Sequence, residues 1–313
     1  MINKRIILDT DLGSDCDDVM AIAYLLYAKK FLNVDILAVT HCLKTPYGVP
    51  AIRSIFRGFN EEIPPVGKME GGADLKDWYA EGLANAFASP EDYLDAQTAT
   101  KVLRKALVST SEKCVICAVG QFTNISALLQ SKPDEISNLD GVSLVKEKCS
   151  ELVLMACKFV DEEDGTRTGE WNVKWDVPAT KTVMELSPVD ITLLPFEVGI
   201  KVITGYEAMK KYGESNPLTK AFHIYPFAKT GRSSWDPMTA VYAIEGVKEF
   251  FVKGEKGDVT FKENGASYFT ANPNGKCSVL SFNYANYNSE QECINSVGKY
   301  IDDCAEKYIS SKN

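Results

Sequence analysis

No uncharged apolar run in this sequence approaches the roughly 18 residues of a membrane span, and no cluster of Lys and Arg stands out along it. The first absence argues against a membrane protein. The second argues against nucleic acid as a partner, because phosphate binding needs clustered cations; the formal charge of −9 points the same way. No acid-free apolar stretch near the start is long enough for a secretory h-region, since "MINKRIILDTD" reaches an acidic cluster first. Nine cysteines form an odd set, and the close pair Cys114 and Cys117 lies inside an apparently buried strand, "CVICAVG". Reduced thiols in a cytoplasmic protein are therefore expected. Neither a repeat nor a low-complexity tract nor a Pro-, Gly- or Ser-rich linker divides the chain, so one domain over residues 1–313 is the simpler expectation.

What the sequence does contain is a 45% hydrophobic composition, enough for a large core without staples. Short runs rich in Val, Ile and Leu alternate with longer amphipathic stretches, the pattern of βα units around a parallel sheet. The runs "RIIL" (5–8), "VDILAVT" (34–40), "CVICAVG", "ELVLMA" (151–156) and "DITLLPFEVG" predict strands. Helices are predicted for "DDVMAIAYLLYA" (17–28), "PAIRSIFRGF", "TATKVLRKALVS", "FTNISALLQ", "VPATKTVMEL", "SWDPMTAVYAIEG" and the tail 289–312. "NPNG" predicts a turn between the strand-like runs "SYFTA" and "CSVLSF". The polar stretch "DEEDGTRTGEWN" is too charged for a core and is a candidate part of a site.

The segment "ILDTDLGSDCDDVMAI" places Asp9, Asp11, Asp15, Asp17 and Asp18 within ten residues at the carboxyl end of the first predicted strand. Ligands of open α/β sheets bind there. Five carboxylates so close repel one another unless a hard cation neutralises them, and oxygen-only ligands select Ca²⁺ or Mg²⁺. A solvated, helix-capping acidic loop accounts for Asp17 and Asp18, but not for Asp9 and Asp11 at the end of an apolar strand. EF-hand spacing is excluded, because Gly13 falls where the fifth-position ligand should stand. A phosphatase-type Asp-x-Asp nucleophile wants Thr or Val where this chain has Gly13, and no later Lys is well placed for it.

With these residues in view, the sequence resembles the inosine–uridine nucleoside hydrolase family. Its signature Asp-x-Asp-Pro-Gly-x-Asp-Asp corresponds here to "DTDLGSDCDD", with Leu12 for Pro and two extra residues after Gly13. "AVGQFTNISALL" resembles the family's Thr-Asn segment, "EWNVKWDVPAT" its Glu-Phe-Asn segment and "SWDPMTAVYAI" its His-Asp-Pro segment, all in the family's order over residues 5 to about 245. The resemblance implies an open, mostly parallel, Rossmann-like sheet flanked by helices, usually in a homodimer or homotetramer. It also implies a Ca²⁺-dependent N-ribohydrolase acting on a small-molecule ribonucleoside.

Carried over by position, Asp11 would bind calcium and act as general base on a metal-bound water. Asp18 and Asp236 would be further metal ligands, and Thr123 would give its backbone carbonyl. Asp17, Glu170 and Asn172 would hold ribose hydroxyls, and Asp9 would orient Asp11. Such residues suit an oxocarbenium-like sugar, whose developing positive charge nearby carboxylates stabilise.

The leaving-group side departs from the family pattern. Trp235 stands where pyrimidine-tolerant members are expected to carry a histidine; it would either stack on the base or pack the helix start. The two histidines are His41 and His223, and His223 is the better candidate acid if a loop delivers it, against a plain surface role. Thr45 and Asp164 occupy positions where the family has sugar-binding Asn residues. Trp171 would line the sugar pocket or the core, and Trp78 and Tyr79 would form a lid or sit exposed. Asp15 is either a support to the cluster or a solvated loop residue. Besides an ordinary nucleoside, the altered base side fits a modified nucleoside or another ribosyl conjugate; a catalytically weak ribose-binding protein is the alternative from another class.

Overall fold

The computed structural model describes residues 3–71 and 75–312. A sheet of ten strands runs through it. Six form the parallel centre with one late addition: β1 (Lys4–Thr10), β2 (Val34–His41), β3 (Val66–Lys68), β4 (Cys114–Ala118), β5 (Cys149–Met155) and β6 (Ile191–Leu194). Two residues each, β7 (Ile203–Thr204) and β8 (Arg232–Ser233) pair apart from the main sheet. The late strands are β9 (Phe251–Lys253), β10 (Gly257–Phe261), β11 (Ser267–Ala271) and β12 (Cys277–Phe282). Their spatial order is β11-β10-β12-β6-β5-β4-β1-β2-β3, with β9 also on β12. The pairs from β3 to β12 are parallel, and those of β10 and β9 are antiparallel.

Period-2 alternation along each central strand builds two cores, one on each face. Ile6 and Leu8 enter one core while Ile7 enters the other; Val153 and Met155 likewise oppose Leu152 and Leu154. Both faces are apolar because helices cover both, which is why these strands read as continuous hydrophobic runs rather than alternating ones. Cys114 and Cys117, although spaced Cys-x-x-Cys, therefore fall into opposite cores, and all nine cysteines are buried free thiols. Helices Asp17–Leu32 and Trp235–Glu245 are buried nearly all round, as expected for helices wedged between sheet and outer helices such as Glu290–Ser310. No helix among the described residues is long and apolar enough to cross a membrane.

From β1 the chain moves outward through β2 and β3, then returns to the other side of β1 with β4, β5 and β6. The reversal makes the crevice beyond β1 and β4 the switch point of the sheet, where ligands bind in such folds.

One sequence-based expectation changes. The run "DITLLPFEVG" is one strand only to Leu194; Pro195 breaks it and starts the short helix Phe196–Gly199. The "NPNG" turn stands where the sequence put it, between β11 and β12, although β10 inserts between those two strands in the sheet.

Candidate active site

β1 ends by delivering Asp9 and Asp11 to the switch point. The following loop turns back at Gly13, whose φ of +116° suits glycine, and Trp78 donates its backbone N–H to the Gly13 carbonyl at 2.8 Å. Helix Asp17–Leu32 then begins, with Asp17 and Asp18 in its first turn, where the helix dipole favours negative charge. Beyond β4, Gly120 lets the chain pass directly against Asp11: a Cβ there would sit 2.7 Å from the Asp11 Cβ and 2.4 Å from the Cys42 sulfur. Helix Trp235–Glu245 brings Asp236 to the same place from far along the chain.

These elements bring one carboxylate oxygen each from Asp11, Asp18 and Asp236 within 4.8 Å of one another, all three side chains being buried. Gln121 donates to Asp11 Oδ2 at 2.9 Å. Thr10 donates to Asp18 Oδ1, while Asp18 Oδ2 is buried with no partner among the described residues. The backbone N–H of Asp236 donates to Asp17 Oδ2 at 3.0 Å. Asp9 lies beneath, accepting from Thr40 at 2.5 Å and Asn124 at 2.8 Å through Oδ1, with Oδ2 also unpartnered.

Burial raises the proton affinity of all of them. Asp9 and Asp11 are pushed up to about 7, with the hydrogen bonds of Asn124 and of Gln121, respectively, opposing the shift. Asp17, Asp18 and Asp236 are raised by burial first and by their neighbours' charges next. A pooled set of buried carboxylates with an orphaned oxygen is an arrangement that a hard divalent cation satisfies and that no side-chain cation here does.

The cluster floors a cavity of about 440 Å³ whose polar lining includes Asp11, Asp15, Asp17, Asp236, Glu170 and Asn172. Glu170 caps the helix Trp171–Lys174, accepting from the N–H groups of Asn172 (2.8 Å) and Val173 (3.2 Å). Burial outweighs these bonds and pushes Glu170 up to about 8. The side-chain amide of Asn172 donates to the carbonyls of Val119 (2.9 Å) and Met155 (3.1 Å), which fixes it between the ends of β4 and β5.

Above this polar floor the walls are aromatic: Trp78, Trp171, Phe196, Tyr225, Phe227 and Trp235. Trp235 stacks on Phe196 with ring centres 5.6 Å apart and donates its indole N–H to the Phe196 carbonyl at 3.0 Å. Trp235 thus packs at the helix start, and it also lines the cavity. Trp78 meets Tyr225 and Phe227 edge-on. Trp171 is 46% exposed at the rim. Tyr79 instead is buried, and its hydroxyl donates to the Asp15 carbonyl at 2.7 Å.

Several sequence-predicted residues are not brought to the cavity wall. Thr45 donates to Asp77 at 2.9 Å, and Asp164 is an exposed loop residue that accepts from Thr166. The Thr123 hydroxyl donates to Asp176 at 2.5 Å, at the start of helix Thr123–Gln130. His41 is buried, its Nε2 2.9 Å from the Leu12 carbonyl and its proton affinity lowered by that burial. His223 is exposed on helix Pro217–Ile224 and does not line the cavity.

Sequence reasoning missed Gln121, Phe196, Tyr225, Phe227 and Arg232. Arg232 grips Asp15 through Nε at 2.9 Å and through Nη2, so Asp15 is an ion-paired wall residue rather than a solvated one. A lone Arg three residues before Trp235 was the available signal.

Residues 6–276 match the family model described as inosine-uridine preferring nucleoside hydrolase. No curated protein matches the chain. Among solved structures, an inosine-uridine preferring nucleoside hydrolase from Bacillus anthracis is 19% identical with a TM-score of 0.68, covering 97% of this chain and 99% of that one. A purine-preferring ribonucleoside hydrolase from Gardnerella vaginalis is 17% identical with a TM-score of 0.71, covering 99% of each chain. The type III effector protein XopQ, complexed with adenosine diphosphate ribose, is 14% identical with a TM-score of 0.70, covering 99% of this chain and 95% of that one.

Proposed function

The chain belongs to the inosine-uridine preferring nucleoside hydrolase family, whose members are hydrolases acting on N-glycosyl compounds, and from that premise we propose that it splits a ribonucleoside into ribose and free base with calcium as cofactor. The observation that carries this reading is the convergence of Asp11, Asp18 and Asp236 at the floor of a cavity whose walls are aromatic.

The three carboxylates would hold the cation; the family pattern would add the backbone carbonyl of Thr123, which lies outside the cavity lining. Calcium held there would supply Lewis-acid chemistry, lowering the proton affinity of water at the site. Asp11, pinned by Gln121, takes the proton of the attacking water. Asp17 would accept a hydrogen bond from one ribose hydroxyl, and Glu170 with the side-chain oxygen of Asn172 would hold the remaining hydroxyls. As the anomeric carbon–nitrogen bond breaks, its electron pair leaves with the base, and the carboxylates around the ring stabilise the electron-poor sugar. Trp235 and Phe196, stacked on each other, form an apolar aromatic wall beside which the departing heterocycle would lie.

A ribosyl conjugate is the second reading, favoured by the likeness to XopQ in complex with adenosine diphosphate ribose. Release of free ribose from purine and pyrimidine nucleosides, adenosine diphosphate ribose and p-nitrophenyl riboside, with calcium and after chelation, tests both. Calcium-dependent release that Asp11→Ala abolishes is the expected result. Wild-type protein that binds calcium yet leaves even the activated aryl riboside intact would overturn the hydrolase mechanism.

A further inference from the structure

Breaking the bond to a nucleobase leaves negative charge on a poor leaving group, and the usual remedy is a proton or hydrogen-bond donor beside it. Neither histidine supplies one here: His41 is buried against the Leu12 carbonyl, and His223 lies outside the cavity. Arg232 is the cationic side chain that does line the cavity.

Its placement is built rather than incidental. The side chain is 25% exposed. Nε donates to both Asp15 oxygens at 2.9 Å, and Nη2 donates to Oδ2. Asp15 is itself tied down, its Oδ1 accepting from the Cys16 N–H at 2.7 Å and its carbonyl accepting from Tyr79. The guanidinium carbon sits 5.1 Å from the centre of the Trp235 ring and 5.5 Å from that of Tyr225, so the plane is flanked by two cavity aromatics. A guanidinium carries five N–H donors, and Asp15 consumes those of one edge. Nη1 has no hydrogen-bond partner among the described residues, although Arg232 lines the same cavity as Trp235 and Asp236.

We propose that Arg232 is the leaving-group residue of this site, its Nη1 donating hydrogen bonds to an acceptor atom of the departing base. This rests on the hydrolase reading above. The chemistry balances without a transferred proton from Arg232: the carbon–nitrogen bond breaks and its electron pair delocalises onto the base acceptor that Nη1–H binds. Hydroxide from water bonds to the anomeric carbon, and the proton of that water goes to Asp11. The base takes its own proton from solvent on release. Arg232 keeps all of its protons, so it acts as a fixed electrostatic donor, the role that oxyanion-hole groups play in acyl transfer. The favoured substrate class follows: ribosides whose base has an acceptor atom next to the glycosidic nitrogen, as the common purines and pyrimidines do.

The test compares kcat/KM for inosine, uridine and p-nitrophenyl riboside in wild type, Arg232→Met and Arg232→Lys, each loaded with calcium. The nitrophenolate leaving group needs little help, so the expected loss is about 100-fold on the nucleosides and much smaller on the aryl riboside. Added guanidinium ion, below denaturing concentration, is expected to restore part of the nucleoside activity of Arg232→Ala but not to speed the aryl riboside. Equal losses on all substrates, with no rescue, would overturn the proposal and leave Arg232 a purely structural partner of Asp15. Wild type that turns over the aryl riboside but neither nucleoside would also overturn it while leaving the hydrolase mechanism standing. Wild type inert towards all three would remove both.

Discussion

Gln121 Nε2 lies 2.9 Å from Asp11 Oδ2, joining the loop after β4 to the carboxylate that ends β1. This bond opposes the effect of burial on Asp11, and the Ser14 side chain acts on that carboxylate in the same direction. A hydrogen bond to a charged group contributes about 1.5–3 kcal/mol. Gln121→Ala is therefore expected to lower kcat/KM on the aryl riboside by about tenfold or more while calcium affinity changes little. Steady-state kinetics beside calcium titration calorimetry reads the two effects separately.

Glu170 makes stability depend on pH in a definite direction. Its proton affinity in the folded protein is up at about 8 because it is buried, against an ordinary value of 4.5. Between those limits the unfolded chain releases a proton that the folded chain keeps, so unfolding becomes more favourable as pH rises from about 4.5 to 8 and levels off above. The loss attributable to this group is on the order of 5 kcal/mol. Glu170→Gln is expected to flatten that part of the curve in urea melts run across the window, and a slope unchanged by the substitution would refute the assignment.

Calcium should be felt as stability as well as activity. A ligand that binds only the folded state at one hundred times its Kd adds about 2.7 kcal/mol. Thermal melts are expected to rise by several degrees with calcium and to fall on chelation, and Asp18→Asn should remove most of that response. A response equal in wild type and variant would place the ion elsewhere.

Away from the site, Arg104 is the largest fully buried side chain. It holds Asp134 at 2.8 and 2.9 Å and also donates to Ser131 and to the carbonyls of Ser137 and Leu139. Removing the guanidinium leaves a set of half-buried acceptors without their donor. Arg104→Met is expected to cost about 3 kcal/mol in denaturant melts, without changing kcat/KM of the folded fraction.

Much of the fold was readable because a parallel sheet covered on both faces writes its strands as uninterrupted Val, Ile and Leu, as β1, β2, β4 and β5 do. The acidic cluster was readable for a related reason: carboxylates directly after such a strand have no structural use in the core. Helix Gly141–Lys148 and strands β9 and β10 were missed, being short and half exposed, so their hydrophobic signal is thin. Gln121 and Tyr225 could not be singled out, because each matters through a contact with a residue distant in the chain, and for Arg232 the one signal was its place just before Trp235. Thr45 and Asp164 show the opposite failure, since position in a shared pattern did not bring either to the cavity wall.

The bond between the Asp236 N–H and Asp17 crosses 219 positions of sequence. During synthesis, Asp11, Asp17 and Asp18 emerge long before helix Trp235–Glu245 exists to meet them. A growing chain can lay down β1 through β6 and still hold an unfinished set of carboxylates. Capacity to bind a cation at that floor therefore reports that the late helix has docked, so a metal-sensitive probe at the site would time the closing step of assembly rather than its beginning.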